Sequence, residues 1–129
     1  MRLLLDTHIF LWYISNDAHL PAVWKSHLRN PANQVFLSVV SIWEASIKYY
    51  LGKLPLPQPP ETYLPQQRIQ HLISSLPLEE AALRHLSTLS SLHRDPFDRI
   101  LICQALENNL MIVTVDTAIR AYSVSILAD

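Results

Sequence analysis

Glycine is almost missing from this chain: Gly52 is the only one in 129 residues. Dinucleotide sites and P-loops need several glycines so that backbone can approach phosphate, and both are excluded on that ground. Turns must rely instead on Pro, Asn, Asp and Ser. Cysteine is as scarce. Cys103, in the run ILICQA, has no partner for an internal disulfide and reads as a small buried apolar residue in a reducing compartment. Charge is sparse too, with 16% Asp, Glu, Lys and Arg and a formal net charge of -1. The strongly basic footprint of a protein that grips nucleic acid by charge alone is lacking. An enzyme that meets phosphate through a bound cation stays open, because the ion supplies the positive charge. No apolar run reaches membrane-spanning length, and MRLLL is interrupted by Asp6 and His8 before a signal-peptide core is complete. A soluble, cytoplasmic protein with no membrane association is expected.

The length suits one domain, residues 1–129. Short apolar runs alternate with amphipathic stretches throughout, and no repeat or low-complexity tail interrupts them. Candidate strands are Leu3 to Asp6, Val35 to Val39, Leu72 to Leu76, Met111 to Val115 and Val124 to Leu127. Helical patterns cover Thr7 to Ile14, Pro21 to Arg29, Ile42 to Leu51, Glu61 to Gln70, Leu78 to Leu89, Pro96 to Asn108 and a short turn near Ala118 to Tyr122. In the sixth, Ile100, Leu101, Ala105 and Leu106 mark the buried side, which leaves Arg99, Gln104 and Glu107 for a wetter one. The Pro-rich stretch Leu54 to Pro60 reads as a stiff loop. Alternation of this kind predicts an α/β fold: a three-layer α/β/α sandwich around a parallel sheet of about five strands.

Four acids stand where an apolar run gives way to a helix start: Asp6, Glu44, Asp98 and Asp116. Each has a plain structural explanation. Asp95-Pro-Phe-Asp98 places an N-cap, a first-turn Pro and an acid. Ser41-Ile-Trp-Glu44 matches a capping box, and Asp6 and Asp116 could each cap the helix that follows a strand. The combination says more. In open α/β sheets ligands collect at the carboxyl ends of strands where the strand order reverses. Two carboxylates about 4 Å apart repel by roughly 4 kcal/mol at an effective dielectric of about 20. A helix N-terminus offsets only about 0.3–1 kcal/mol of that. If the four converge, either some are protonated or a divalent cation is present. An oxygen-only set suits Mg²⁺ or Mn²⁺, which can activate water and stabilise charge on a phosphodiester.

Taken in order, MRLLLDTHIFLWYI, SVVSIWEASIKYYLGKL, HRDPFDRILICQA and MIVTVD resemble the PIN-domain superfamily and, within it, the VapC-type ribonuclease toxins of type II toxin–antitoxin systems. The resemblance covers essentially the whole chain, and DTHIFLW with HRDPFDRILICQA is its most specific pair. It implies a PIN-like fold in which Asp6, Glu44, Asp98 and Asp116 are the catalytic, metal-binding acids around Mg²⁺ or Mn²⁺, with RNA as substrate. Thr114 falls at the hydroxyl position of the T-x-D turn. A homodimer inhibited by a small antitoxin protein, whose tail enters the active-site groove, is also implied. The chain departs from the pattern at Thr117 and at Tyr122-Ser123, where relatives often carry another polar residue and a Tyr-Gly turn.

Other candidates fare less well. His8, His19, His27, His71, His85 and His93 make no H-x-x-x-H or H-x-H pair, so zinc has no support. No G-x-S-x-G elbow is present. Lys48 reads as an ion-pair partner for Glu44 or as a contact to phosphate or a partner protein. Arg99 reads as a solvated charge or a phosphate contact. Trp12, Tyr13, Trp43, Tyr49 and Tyr50 sit at helical spacing among Leu and Ile, as core or interface residues do. Two other functions compete: a catalytically silent PIN-like interaction domain, and a phosphatase of the haloacid dehalogenase type. The second expects an acid two residues after Asp6, where His8 stands.

Overall fold

The computed structural model describes residues 1–89 and 95–128. Its elements are β1 (Arg2–Leu5), α1 (Thr7–Ile14), α2 (Ala22–Arg29), β2 (Gln34–Ser38), α3 (Val39–Tyr50), α4 (Pro60–Gln70), β3 (Ser74–Leu76), α5 (Glu80–Leu83), a 3-10 turn (Arg84–Thr88), α6 (Pro96–Asn108), β4 (Met111–Val113) and α7 (Thr117–Arg120). The four strands are parallel, in the order β3-β2-β1-β4. The chain builds outward from β1 through β2 to β3, then crosses back to lay β4 on the other side of β1. The reversal falls between β1 and β4, where a parallel sheet opens a crevice at its carboxyl edge.

Alternation along the strands sends side chains to two separate cores. Leu3, Leu5, Val35, Leu37 and Val113 pack with Ile9, Phe10, Trp24, Leu28, Ala45 and Leu64 from α1 to α4. Leu4, Leu76 and Ile112 face Leu101, Ile102, Ala105 and Ile119 from α6 and α7. Burial on both faces explains the apolar runs of the inner strands, Leu3–Leu5 and Val35–Leu37. The helices lie on either side of it, as a three-layer sandwich requires.

Several boundaries move for identifiable reasons. The fifth strand is reduced to one parallel bridge, Ile112 with Ile126, held by Ile112 N–H to Ser125 O at 2.8 Å and Leu127 N–H to Ile112 O at 2.9 Å. The third starts late because Leu72 takes φ 57 as α4 ends, and its side chain is 89% exposed. The helix expected over Leu78 to Leu89 divides into α5 and the 3-10 turn. Gly52, at φ 74, follows α3, with its N–H on Tyr49 O and that of Lys53 on Lys48 O. This left-handed helix stop is the place where the single glycine is needed. His93 lies outside the described residues.

Gln104 is the clearest reversal of expectation. It is fully buried rather than on a wet face. Ser38 Oγ donates to its Oε1 at 2.6 Å, and its Nε2 donates to Pro77 O at 3.2 Å. The amide thereby ties the carboxyl end of β2 to α6. Replacing it with Ala strands the Pro77 carbonyl and opens a cavity. Gln104→Ala is expected to lower stability by about 2–4 kcal/mol, read from the urea unfolding midpoint at unchanged m-value.

Candidate metal centre

Asp6 follows the last residue of β1 and continues its ladder, its N–H bonding Val113 O at 3.0 Å. One carboxylate oxygen, Oδ1, accepts from Thr7 N–H at 2.7 Å and caps α1. The other, Oδ2, accepts from Thr114 Oγ at 2.7 Å. Thr114 follows β4, so this bond spans the strands that flank the reversal. The same hydroxyl oxygen accepts from Asp116 N–H at 3.0 Å, and the Asp116 carboxylate caps α7 through Ala118 N–H at 2.8 Å. Asp116 is half-buried.

Glu44 does not cap a helix. α3 begins at Val39, three residues earlier than the capping-box reading required, because Ser38 is the N-cap and accepts from Val40 N–H at 3.0 Å. Glu44 is thus in the second turn, and its buried carboxylate accepts from Thr7 Oγ at 2.7 Å and from Lys48 Nζ at 2.9 Å. Three of the four acids therefore belong to one hydrogen-bonded chain: Glu44–Thr7–Asp6–Thr114–Asp116. Asp98 comes from another element. It is buried in the first turn of α6, whose N-cap Asp95 accepts from Phe97 and Asp98 N–H at 2.9 and 3.2 Å. Asp95 fills the capping role read from the sequence. The Phe97 ring stands edge-on to Trp43 of α3, with centroids 4.9 Å apart, so α6 starts against the helix that carries Glu44.

Asp6 is held where charge is unwelcome. Burial pushes the Asp6 carboxyl above its ordinary range; the bonds from Thr114 and Thr7 pull it back, and the Glu44 charge adds to the rise. As the side chains stand, no three His, Cys, Asp or Glu among the described residues converge tightly enough to cage a metal. The donor chemistry nevertheless fits a hard cation that keeps its waters, since every available ligand atom is oxygen. A further polar atom lies on the same helix face. Ser41, three residues before Glu44, is buried, and its hydroxyl has no hydrogen-bond partner. Such an unpaired group costs about 1–3 kcal/mol.

The sequence reading missed the part played by Thr7. Its single hydroxyl and N–H satisfy two acids at once, and the only signal was its position directly after Asp6. Lys48 pairs with Glu44 at 2.9 Å, the first of its two readings, and Arg99 donates to Tyr122 Oη at 3.3 Å. A groove of about 520 Å³ runs beside the acids rather than over them, lined by Leu11, Trp12, Lys48, Lys53 and Leu56, with Thr7 at its margin. Trp43 and Tyr50 are 60% and 65% exposed, which places them on the surface rather than in the core.

The PIN domain family profile matches residues 3–124, and the chain belongs to that family. Ribonuclease VapC16 of Mycobacterium tuberculosis is 40% identical over 53 residues, which span 41% of this chain and 38% of that protein. A chain of VapBC2 from Rickettsia felis, bound to a promoter DNA fragment, superposes with a TM-score of 0.72 at 16% identity, covering 99% of this chain and 98% of that one. A toxin–antitoxin complex from Klebsiella pneumoniae gives 0.64 at 13% identity, covering 98% and 96%. At those identities the two structures establish the fold alone.

Asp6 also sets a pH dependence. A carboxyl whose folded pKa is raised holds its proton more tightly when folded, so its contribution is full below the unfolded pKa and is lost as pH rises through the folded one. Asp6→Asn removes that loss. In chelator, the variant is expected to unfold at higher urea than the parent at pH 7–8, with the gain disappearing below the ordinary carboxylate range. Urea unfolding across pH measures it.

Proposed function

We propose that this chain, as one PIN domain over residues 1–129, is a metal-dependent endoribonuclease and the toxin of a toxin–antitoxin pair. The observation that carries this reading is the hydrogen-bonded chain from Glu44 through Asp6 to Asp116 at the strand-order reversal of a PIN fold. Asp6, Glu44, Asp98 and Asp116 are the assigned ligands of Mg²⁺ or Mn²⁺, directly or through waters. Bound there, the ion supplies an activated water and stabilises charge on the phosphodiester in the transition state. The protein's own part is positional. Thr7 and Thr114 hold the Asp6 and Glu44 carboxylates at the sheet edge through hydrogen bonds of 2.7 Å. Lys48 balances Glu44 and rims the groove, where an ammonium can meet a phosphate.

The name of the Mycobacterium relative supports RNA as substrate, and the Klebsiella complex supports a small antitoxin as partner. A cytoplasmic site of action follows from that assignment; no helix among the described residues is long and apolar enough to cross a membrane. The apolar groove beside α1 and α3 is the proposed seat of the partner's tail. Self-association is assigned to α3, where Val39, Trp43, Ile47 and Tyr50 form an exposed apolar stripe at helical spacing.

The second reading, a catalytically silent interaction domain, draws on one observation: Asp6 and Asp116 act as helix caps, accepting from Thr7 and Ala118 N–H. Cleavage separates the two. The parent should cut single-stranded or structured RNA with Mn²⁺ and stop in chelator, and Asp6→Asn should lose about a hundredfold or more, the rate equivalent of several kcal/mol. A parent that neither cuts RNA nor gains thermal stability with Mn²⁺ supports the silent domain. For the dimer, Trp43→Glu should halve the mass seen by light scattering at micromolar concentration, and an unchanged mass would move the interface off α3.

A further inference from the structure

The buried hydroxyl of Ser41 is the polar group that the fold leaves unexplained. Ser41 is 2% exposed, and its Oγ is one of two buried side-chain polar atoms without a hydrogen-bond partner among the described residues. The other, Arg68 Nε, belongs to a guanidinium that already donates to Ile73 O at 2.9 Å. Ser41 has no such second contact. A helical serine has a cheap remedy, which is to bond the carbonyl four residues back. Ser46 on the same helix takes it, donating to Ile42 O at 2.7 Å, and Ser15 does so to Leu11 O at 2.8 Å. Ser41 does not.

Three residues apart, Ser41 and Glu44 both belong to the buried strip of α3. Through Glu44 that strip meets the start of α1, where Thr7 Oγ donates to the carboxylate at 2.7 Å. We propose that Ser41 is a positioning residue for the hydrated ion, its hydroxyl bonding an oxygen of the ion's water shell. This rests on the reading of the acids as ion ligands. A hydroxyl suits the task because it donates or accepts as the water requires. Outer-shell partners of this kind orient ligands and tune affinity without touching the metal.

The test uses Mn²⁺ alone as probe, with no RNA. Mn²⁺ affinity is titrated by paramagnetic resonance of the free ion, and melting is followed separately in chelator. Ser41→Ala should melt in chelator at or above the parent temperature, since an unpaired hydroxyl has been removed, while its Mn²⁺ dissociation constant rises about tenfold. Ser41→Thr, which keeps the hydroxyl, should restore affinity to within about twofold of the parent. Unchanged Mn²⁺ affinity in Ser41→Ala overturns the inference, whether or not melting changes. So does a loss confined to RNA binding, which would assign the hydroxyl to phosphate. A parent that binds no Mn²⁺ sinks the acid-site reading itself; a parent that binds, with an alanine variant that binds equally well, sinks this inference only.

Discussion

Thr7 stands between two buried carboxylates and gives one donor to each: its N–H to Asp6 and its hydroxyl to Glu44, both at 2.7 Å. The arrangement of the carboxyl edge of the sheet depends on that pair of bonds. It joins the end of β1 to the second turn of α3, elements separated by 37 residues. Thr114 repeats the device on the other flank, joining β1 to the turn after β4 across 108 residues. Two threonines thus do for backbone and carboxylates what glycine-rich loops do for phosphates elsewhere. They bring polar groups to the sheet edge and satisfy them there.

The same edge is where stability is given up. Asp6 is charged only against burial and against Glu44, Lys48 is drawn onto Glu44 as a resident counter-ion, and Ser41 lacks a partner. Elsewhere among the described residues the buried side-chain polar atoms are paired, apart from Arg68 Nε. Gln104 is matched at both ends of its amide in a dry interface, and Asp95 closes the start of α6 with two bonds. A fold that satisfies buried groups generally but leaves a cluster strained at one edge has the pattern expected of a functional site.

The periodic elements were legible because their causes are local. α1 and α6 run over the residues that spacing and capping indicated, Thr7–Ile14 and Pro96–Asn108. What failed depended on distant partners. The match of Ser41 to Glu44 satisfies the capping-box pattern, yet Ser38 captured the helix start because Gln104, 66 residues away, holds its hydroxyl in place. Gln104 read as a wet-side residue, since nothing nearby in the chain reveals a carbonyl at Pro77. The fifth strand shrank to one bridge because its pairing depends on how the last residues meet β4.

Sequence alone determined the α/β class, the positions of the four acids and their oxygen-only chemistry, since these follow from periodicity and residue type. Family membership was legible too, through four ordered blocks. Tertiary structure decided which acids meet. It joined Asp6, Glu44 and Asp116 through two hydroxyls, put Asp98 on a neighbouring helix, and left Ser41 unpartnered on the same face. Those facts arise from where parallel strands reverse their order. Contacts across such a reversal join residues distant along the chain, and no local spacing encodes them.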